Sequence, residues 1–380
     1  MHKPENIYDV AIIGGGLAGL TLSIQCAEAG YKVILFEKET YPFHKVCGEY
    51  ISLESYPLLK RLGLPLQELD LPVIKKLQLT DVAGKLYEFD LDPGGFGISR
   101  YKLDNALYEI AKTKGVHILT GKKVVDVNFG NDIFTIHTAT ENFTSKMVAG
   151  TFGKRSNLDI KWKRDFITQK PDKLNNYIGV KYQIKYPFPK DNIALHNFYN
   201  GYCGISNIEE NKCCFCYLTT ANNLKENNNS ITQMEKNVLW KNSKLKEIFC
   251  GAEFLYNEPL VISQVSFSKK RQVENHVFMI GDAAGLITPL CGNGMSMSMQ
   301  AAKLAFENIQ AFREQKINRQ QMEQRYAKQW QQHFNTRLFI GRMVQRLFGN
   351  NTTTSLFLKM MHNMPWLAYK LICSTHGKPF

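Results

Sequence analysis

The 380-residue sequence has little that would tie it to a bilayer or to nucleic acid. No run reaches the ~18 consecutive apolar residues that mark a membrane-spanning helix, and no helix-turn-helix, zinc-finger or RNP-like pattern is present. A basic n-region followed by an apolar h-region is missing from the opening Met1-His2-Lys3-Pro4-Glu5-Asn6, so a cytoplasmic protein is expected, with peripheral membrane contact through the Met-rich C-terminal end left open. The nine cysteines are odd in number and lack the loop spacing of a disulfide framework, which favours reduced thiols. Cys213-Cys214-Phe215-Cys216 has no paired CxxC and no nearby histidine to complete four ligands, so it reads as a packed strand and no metal is expected. Charged residues make up 21% of the chain, with Gly 27 and Pro 13, a composition unlike that of disordered chains. No internal repeat is visible.

What is present is a 44% hydrophobic content, enough for one large core or two fused ones. The net charge of +13 admits an anionic membrane surface, an acidic carrier protein or an electron-donor protein as partner, or only a solvated basic face. Nucleic acid is the weakest of these partners.

Near the N-terminus, the β-branched run from Tyr8 to Ile13 ends on Gly14-Gly15-Gly16-Leu17-Ala18-Gly19, and residues 17–29 carry apolar side chains at helical spacing. Gly30 closes that helix, residues 32–36 form a second buried strand, and Glu37 follows it. In such a βαβ unit Gly14 allows a sharp turn, Gly16 lets a pyrophosphate approach the main chain, and Gly19 lets helix and strand pack closely. Glu37, 21 residues after Gly16, is placed to accept hydrogen bonds from an adenosine ribose. The turn alone does not separate FAD from NAD.

A second cluster does. Residues 277–280 read as a buried strand, followed by Gly281-Asp282-Ala283-Ala284-Gly285 and then Gly292-Asn293-Gly294-Met295 at the start of a long helix. A third segment, Ile98-Ser99-Arg100 with Leu103, Asp104 and Leu107, precedes a strand around Val124 and Val125. Over residues 7 to 310 the sequence resembles the flavoprotein group of aromatic hydroxylases, geranylgeranyl reductases and flavin-dependent halogenases, most nearly the geranylgeranyl reductase-like members. The resemblance implies FAD, with Asp282 on its ribityl chain, Arg100 beside it, and Ala18, Lys38, Val125 and Gly281 as further contacts. Gly292, Gly294 and Met295 would open a helix whose N-terminus stabilises negative charge on the reduced flavin. Arg100 also reads as a helix-start residue paired with Asp104.

Between Glu37 and Leu53 lies His44-Lys45-Val46-Cys47-Gly48-Glu49-Tyr50, similar to the Cys-Gly loop that geranylgeranyl reductases set beside the flavin ring. Cys47 and Gly48 are cofactor contacts on that basis. Cys47 and Glu49 are the candidate catalytic residues, the thiol as proton donor and Glu49 as acid or base, although a small buried Cys47 is an equal reading. Three features depart from the group. Gly150-Thr151-Phe152-Gly153 has Phe152 where relatives carry an acid. Tyr202-Cys203-Gly204-Ile205-Ser206 keeps only Tyr202, a candidate substrate contact, from a Tyr-x-Trp-x-Phe-Pro pattern, so the pocket need not take a polyprenyl chain. The Trp-x-Trp-x-Ile-Pro motif of tryptophan halogenases is absent.

The resemblance implies an α/β chain. Its Rossmann-like FAD-binding fold, of the glutathione reductase or p-hydroxybenzoate hydroxylase type, would comprise residues 1–72, 98–160 and 264–325. A mixed-sheet substrate domain (73–97 and 161–263) is inserted, and 326–380 is a Met-rich helical end. Residues 177–184, 193–198 and 213–219 read as strands, and 221–230 as an Asn-rich loop. The expected function is an FAD-dependent oxidoreductase of a hydrophobic small molecule (lipid, isoprenoid or polyketide-like) by C=C reduction or monooxygenation, with NAD(P)H or another reductant. A flavin-binding electron-transfer or regulatory protein is the alternative, and a halogenase a lesser one.

Overall fold

The strand Tyr8–Ile13 is buried almost throughout and pairs in parallel with Val33–Phe36 on one side and Asn142–Gly150 on the other. A computed structural model describes residues 7–168 and 176–380. Around that strand an eight-stranded sheet forms, whose central five strands run parallel in the order Val277–Met279, Asn142–Gly150, Tyr8–Ile13, Val33–Phe36, His117–Leu119. Val124–Gly130 and Ile133–Thr138 extend it as an antiparallel ribbon hung on Asn142–Gly150. The helices Leu17–Glu28, Arg100–Thr113 and Gly294–Arg313 join these strands in one apolar core. Buried parallel strands need such cover on their faces, which explains their continuous apolar runs.

The second sheet has nine strands, and Val73–Thr80 and Leu86–Gly97 enter it beside the later strand Asn192–Phe198. Tyr50–Ser52, just after the Cys-Gly loop, pairs with the end of Leu86–Gly97 and so links the loop to this sheet. One face of the sheet packs its Phe198, Cys203, Phe215 and Tyr217 on the short helices between residues 221 and 251. The other turns Leu79, Leu195 and Tyr202 toward Phe357, Leu358 and Met361 of the C-terminal helices. The two faces follow from side chains alternating along each strand.

The Asn-rich segment 221–230 is not all loop: Ala221–Glu226 is helical. Asn223 spends its amide on the Tyr199 carbonyl (2.7 Å) and the Thr219 hydroxyl (2.8 Å), and Asn227 caps the end on the Asn223 carbonyl (2.8 Å). Tertiary partners thus remove the local competition that makes asparagine a poor helix former.

The long helix Arg319–Leu347, opened by a capping box between Asn318 and Gln321, locks the parallel sheet to the C-terminus. Tyr326 donates to the Met279 carbonyl (2.7 Å), and the Trp330 ring fills the space that the missing side chain of Gly285 leaves. Trp330→Ala is expected to cost about 3–5 kcal/mol of stability through the cavity it opens, read from denaturant unfolding. A loss well under 1 kcal/mol would contradict this packing.

Candidate active site

The glycine turn is tight for reasons its neighbours make plain. Gly14 has φ +112°, and a Cβ there would lie 2.6 Å from the Thr151 carbonyl oxygen. A Cβ on Gly19 would collide with the Gly14 carbonyl, so strand and helix meet here without side chains between them. Thr151, in the segment that departs from the flavoprotein pattern, donates its hydroxyl to the Gly14 (2.6 Å) and Ile13 (3.0 Å) carbonyls. Glu37 is buried at the strand end and accepts from the Gly15 N–H at 2.8 Å, and Tyr41 donates to the Gly15 carbonyl.

Above Gly16 lie two cations: a Cβ there would be 3.6 Å from Lys45 Nζ and 3.7 Å from an Arg100 terminal nitrogen. Both are anchored by Asp104, which takes a two-pronged bond from Arg100 (2.7 Å each) and a single one from Lys45 (3.0 Å). Burial opposes the Asp104 charge, but Arg100 and Lys45 hold its carboxyl below the ordinary value. The helix-start pairing of Arg100 with Asp104 is therefore present, and the same guanidinium faces the turn. The helix Leu17–Glu28 begins with no side-chain cap, leaving its first N–H groups for an anion.

Gly281, with φ +65°, approaches the Ala18 methyl group, which brings Asp282 to the same place. The Asp282 carboxyl makes no hydrogen bond among the described residues, and burial pushes its pKa up against Lys270, Arg100 and Lys154. Lys270, its own pKa lowered by burial to about 8, donates to the Asp282 (2.8 Å) and Lys154 (2.7 Å) carbonyls. Farther along, Gly292 (φ +64°) lies against the Tyr50 ring, and the helix Gly294–Arg313, with Met295 buried in its first turn, starts from Asn293 without a side-chain cap.

The Cys-Gly loop ends in a charged knot. Glu49 has a positive φ of 55°, is fully buried, and accepts from the Arg100 N–H (2.8 Å) and from Lys181 of the second sheet. Lys181 also donates to the Lys45 carbonyl (3.2 Å), and the Cys214 thiol to the Cys47 carbonyl (3.2 Å). Burial raises the Glu49 pKa, and burial also pushes the Cys47 thiol up, so the thiol keeps its proton at neutral pH. Burial opposes the Lys181 charge, but the neighbouring Cys214 and Glu49 raise its pKa above the ordinary value.

From Lys181 a row of facing residues crosses the second sheet: Cys216, Gly204, Leu195, Leu79. Its far end is a wall of an apolar cleft with about 700 Å³ of empty space, open solvent at its mouth included. Tyr50 and residues 289–292 form another wall, and Val344, Phe357, Met361 and Leu371 of the C-terminal helices a third. Among the lining residues are no lysine, arginine or carboxylate; the polar groups are Tyr50, Thr375 and His376.

Thus Gly14, Gly16, Ala18, Gly19, Glu37, Arg100, Gly281 and Asp282 come together, with Cys47, Gly48 and Glu49 beside Arg100 and with Gly292, Gly294 and Met295 reached through Tyr50. Lys38 is exposed and pairs with Glu39 (3.4 Å), and Val125 is an exposed residue of the antiparallel ribbon. Tyr202 is buried in the apolar cluster that the cleft-side face of the second sheet shares with the C-terminal helices and is not among the lining residues. Sequence reasoning named Asp104 only as the partner of Arg100, gave Lys45 and Tyr50 no role of their own, and passed over Lys181. Lys181 had left a signal, as the one charge inside the otherwise uncharged run 177–184.

A family model described as an FAD binding domain matches residues 7–322. The chain belongs to this FAD-binding family. A geranylgeranyl diphosphate reductase of Synechocystis sp. is 23% identical over 93% of this chain and 88% of its own length. Conditioned medium factor receptor 1 of Dictyostelium discoideum is also 23% identical, over 93% of this chain and 71% of its own. A geranylgeranyl bacteriochlorophyll reductase-like protein from Thermoplasma acidophilum shares the fold with a TM-score of 0.79, at 16% identity over 99% of this chain and 97% of that one. Monooxygenases and halogenases are among the further relatives. The protein is an FAD-dependent oxidoreductase with an α/β FAD-binding fold. The residues fit that cofactor: the uncapped start of the helix Leu17–Glu28 and two cations would answer its pyrophosphate, and the Asp282 carboxyl, without a hydrogen bond among the described residues, would answer its hydroxyls.

Lys181→Met leaves Glu49 buried without its cation, an expected loss on the order of 3–5 kcal/mol. Because the Glu49 pKa is raised in the folded state and rises further in the variant, its stability is highest in acid and falls as pH increases. Melting curves of the FAD-loaded proteins should show the gap to wild type widening as pH rises above the ordinary carboxylate range, with Lys181→Met/Glu49→Gln recovering much of it. A gap independent of pH would refute the pairing.

Proposed function

We propose that the enzyme reduces a carbon–carbon double bond in an elongated, apolar small molecule, with NAD(P)H or another reductant renewing the flavin. The apolar cleft carries this reading, because it meets the 289–292 loop and its wall residue Leu195 belongs to the row of paired residues that runs on through Gly204 and Cys216 to Lys181, the partner of Glu49. With Gly204 and Cys216 in mid-row, the sheet floor is low where a bulky aromatic would fill it. The absence of lysine and arginine from the lining argues that the cleft takes the apolar part of a substrate and no phosphate. The similarity to reductases of geranylgeranyl compounds supports the same class. The cleft also argues against a carrier of electrons without a substrate pocket.

FAD, when bound, supplies the hydride. The chain holds it through the glycine turn, Glu37, Lys45, Arg100 and Asp282, and the uncapped helix start at Gly294 favours negative charge on the reduced ring. Cys47, its thiol protonated at neutral pH, is the proton donor at Sγ, and Glu49 with Lys181 positions the loop that carries it. The apolar walls exclude water from the reacting carbons.

Two measurements bear on this. Asp282→Ala should weaken FAD binding to the apoprotein by about 1.5–3 kcal/mol, the worth of a hydrogen bond to a charged group, and unchanged affinity in a flavin titration would take Asp282 out of the site. Photoreduced enzyme, kept anaerobic, should be reoxidised by polyprenyl alkenes with formation of the saturated product. Leu77→Trp, which fills the cleft, should slow that step about tenfold or more at normal FAD content. Substrate-dependent turnover that requires O2 and yields a hydroxylated product would instead make the enzyme a monooxygenase.

A further inference from the structure

No Asp or Glu occurs after Glu323: the last 57 residues carry eight of the chain's thirteen net positive charges and no acid. The same stretch holds the most exposed large apolar side chains of the three packed C-terminal helices: Leu356 at 68%, Phe339 at 63% and Trp366 at 61%. They recur at helical spacing with cations beside them. Phe339, Met343 and Arg346 share a stripe on Arg319–Leu347, Leu356, Lys359 and Met360 one on Asn351–Asn363, and Trp366 and Lys370 one on Pro365–Thr375. Opposite faces of the same helices, through Val344, Phe357, Met361 and Leu371, form the cleft wall.

An ordinary surface helix has one apolar face, turned inward; these have two. No described helix is long and apolar enough to cross a membrane. Outer faces with Leu, Trp, Phe and Met among Lys and Arg, and with no carboxylate of their own beyond Glu323 (Asp92, from the second sheet, meets Tyr369 at the edge), have the composition of helices that lie in a membrane interface. Carboxylates would be repelled there, and each cation near an anionic leaflet adds to the attraction. We propose that these faces seat the enzyme on an anionic bilayer, with the cleft one helix thickness, ~10–12 Å, from the acyl chains. An apolar substrate then reaches the cleft from the lipid phase without crossing water. The docking itself does not depend on which reaction the flavin performs.

The test is flotation of the FAD-loaded protein with vesicles of phosphatidylcholine alone or with about a quarter phosphatidylglycerol. Binding is expected to the anionic vesicles, weakly to the neutral ones, and to fall as salt rises from about 0.1 to about 0.5 M. Leu356→Gln/Trp366→Gln and Lys359→Glu/Lys370→Glu change outer-face residues that do not line the cleft. Each should lower the partition coefficient about tenfold with bound FAD unchanged. The proposal fails if native protein does not float with anionic vesicles, or if both variants float like the native protein. It also fails if lipid-free protein is a dimer that the Gln variant dissociates, because a second copy would then be the occupant of this face.

Discussion

Glu49 fastens three separate parts of the molecule at one carboxylate. It belongs to the loop after the first βαβ unit, it caps the first N–H of the helix Arg100–Thr113, and it takes the ammonium of Lys181 from the second sheet. A buried pair of this kind adds little net stability compared with an apolar packing, because both charges lose water. What it fixes is arrangement. Loop, helix and sheet must all be in place before both charges are answered, and a backbone at φ 55° is held against its own preference to achieve it. Arg100 extends the same knot to Asp104 and Lys45, and so to the space above Gly16. The dinucleotide turn and the floor of the cleft are thereby held in register by one connected set of charges.

Features set by local backbone demands were legible in the sequence. Gly14 and Gly281 are required by their own positive φ, and Gly19 by its contact with the Gly14 carbonyl inside one βαβ unit, so each leaves a mark in its own few residues. The expected strands at 177–184, 193–198 and 213–219 lie within observed ones for a similar reason, since alternation and β-branching are local. Relations across the chain left weaker traces. The cleft is made from residues near 50, 77–91, 193–195, 289–292 and 344–376, and no single stretch of sequence declares it. Tyr202 illustrates the limit: its motif position suggests a substrate contact, and alternation does put it on the sheet face of Gly204 and Leu195, but it is buried against the C-terminal helices and is not among the lining residues. Lys181 illustrates the reverse, a lone charge in a buried strand that only the position of Glu49 explains.

The departures from the flavoprotein pattern acquire physical meaning in the structure. Thr151 serves the glycine turn through its hydroxyl, and Phe152 packs its ring against the space left by Gly150, so the segment supports the turn without a carboxylate. Gly204 lies in the row that joins Lys181 to the cleft wall, where the absence of a large aromatic lowers the floor. Cofactor machinery and substrate surface are thus separable: the first is built around the turn, Arg100 and Asp282, the second around the sheet face and the C-terminal helices.

The most direct measurement of the central claim is a crystal structure of the enzyme bound to FAD and an apolar alkene. The account predicts the dinucleotide on the 14–19 turn, the flavin ring between Cys47-Gly48 and the 289–292 loop, and the double bond over that ring with its chain in the cleft against Leu79 and Leu195. A flavin ring remote from Cys47, or an alkene bound outside this cleft, would contradict it.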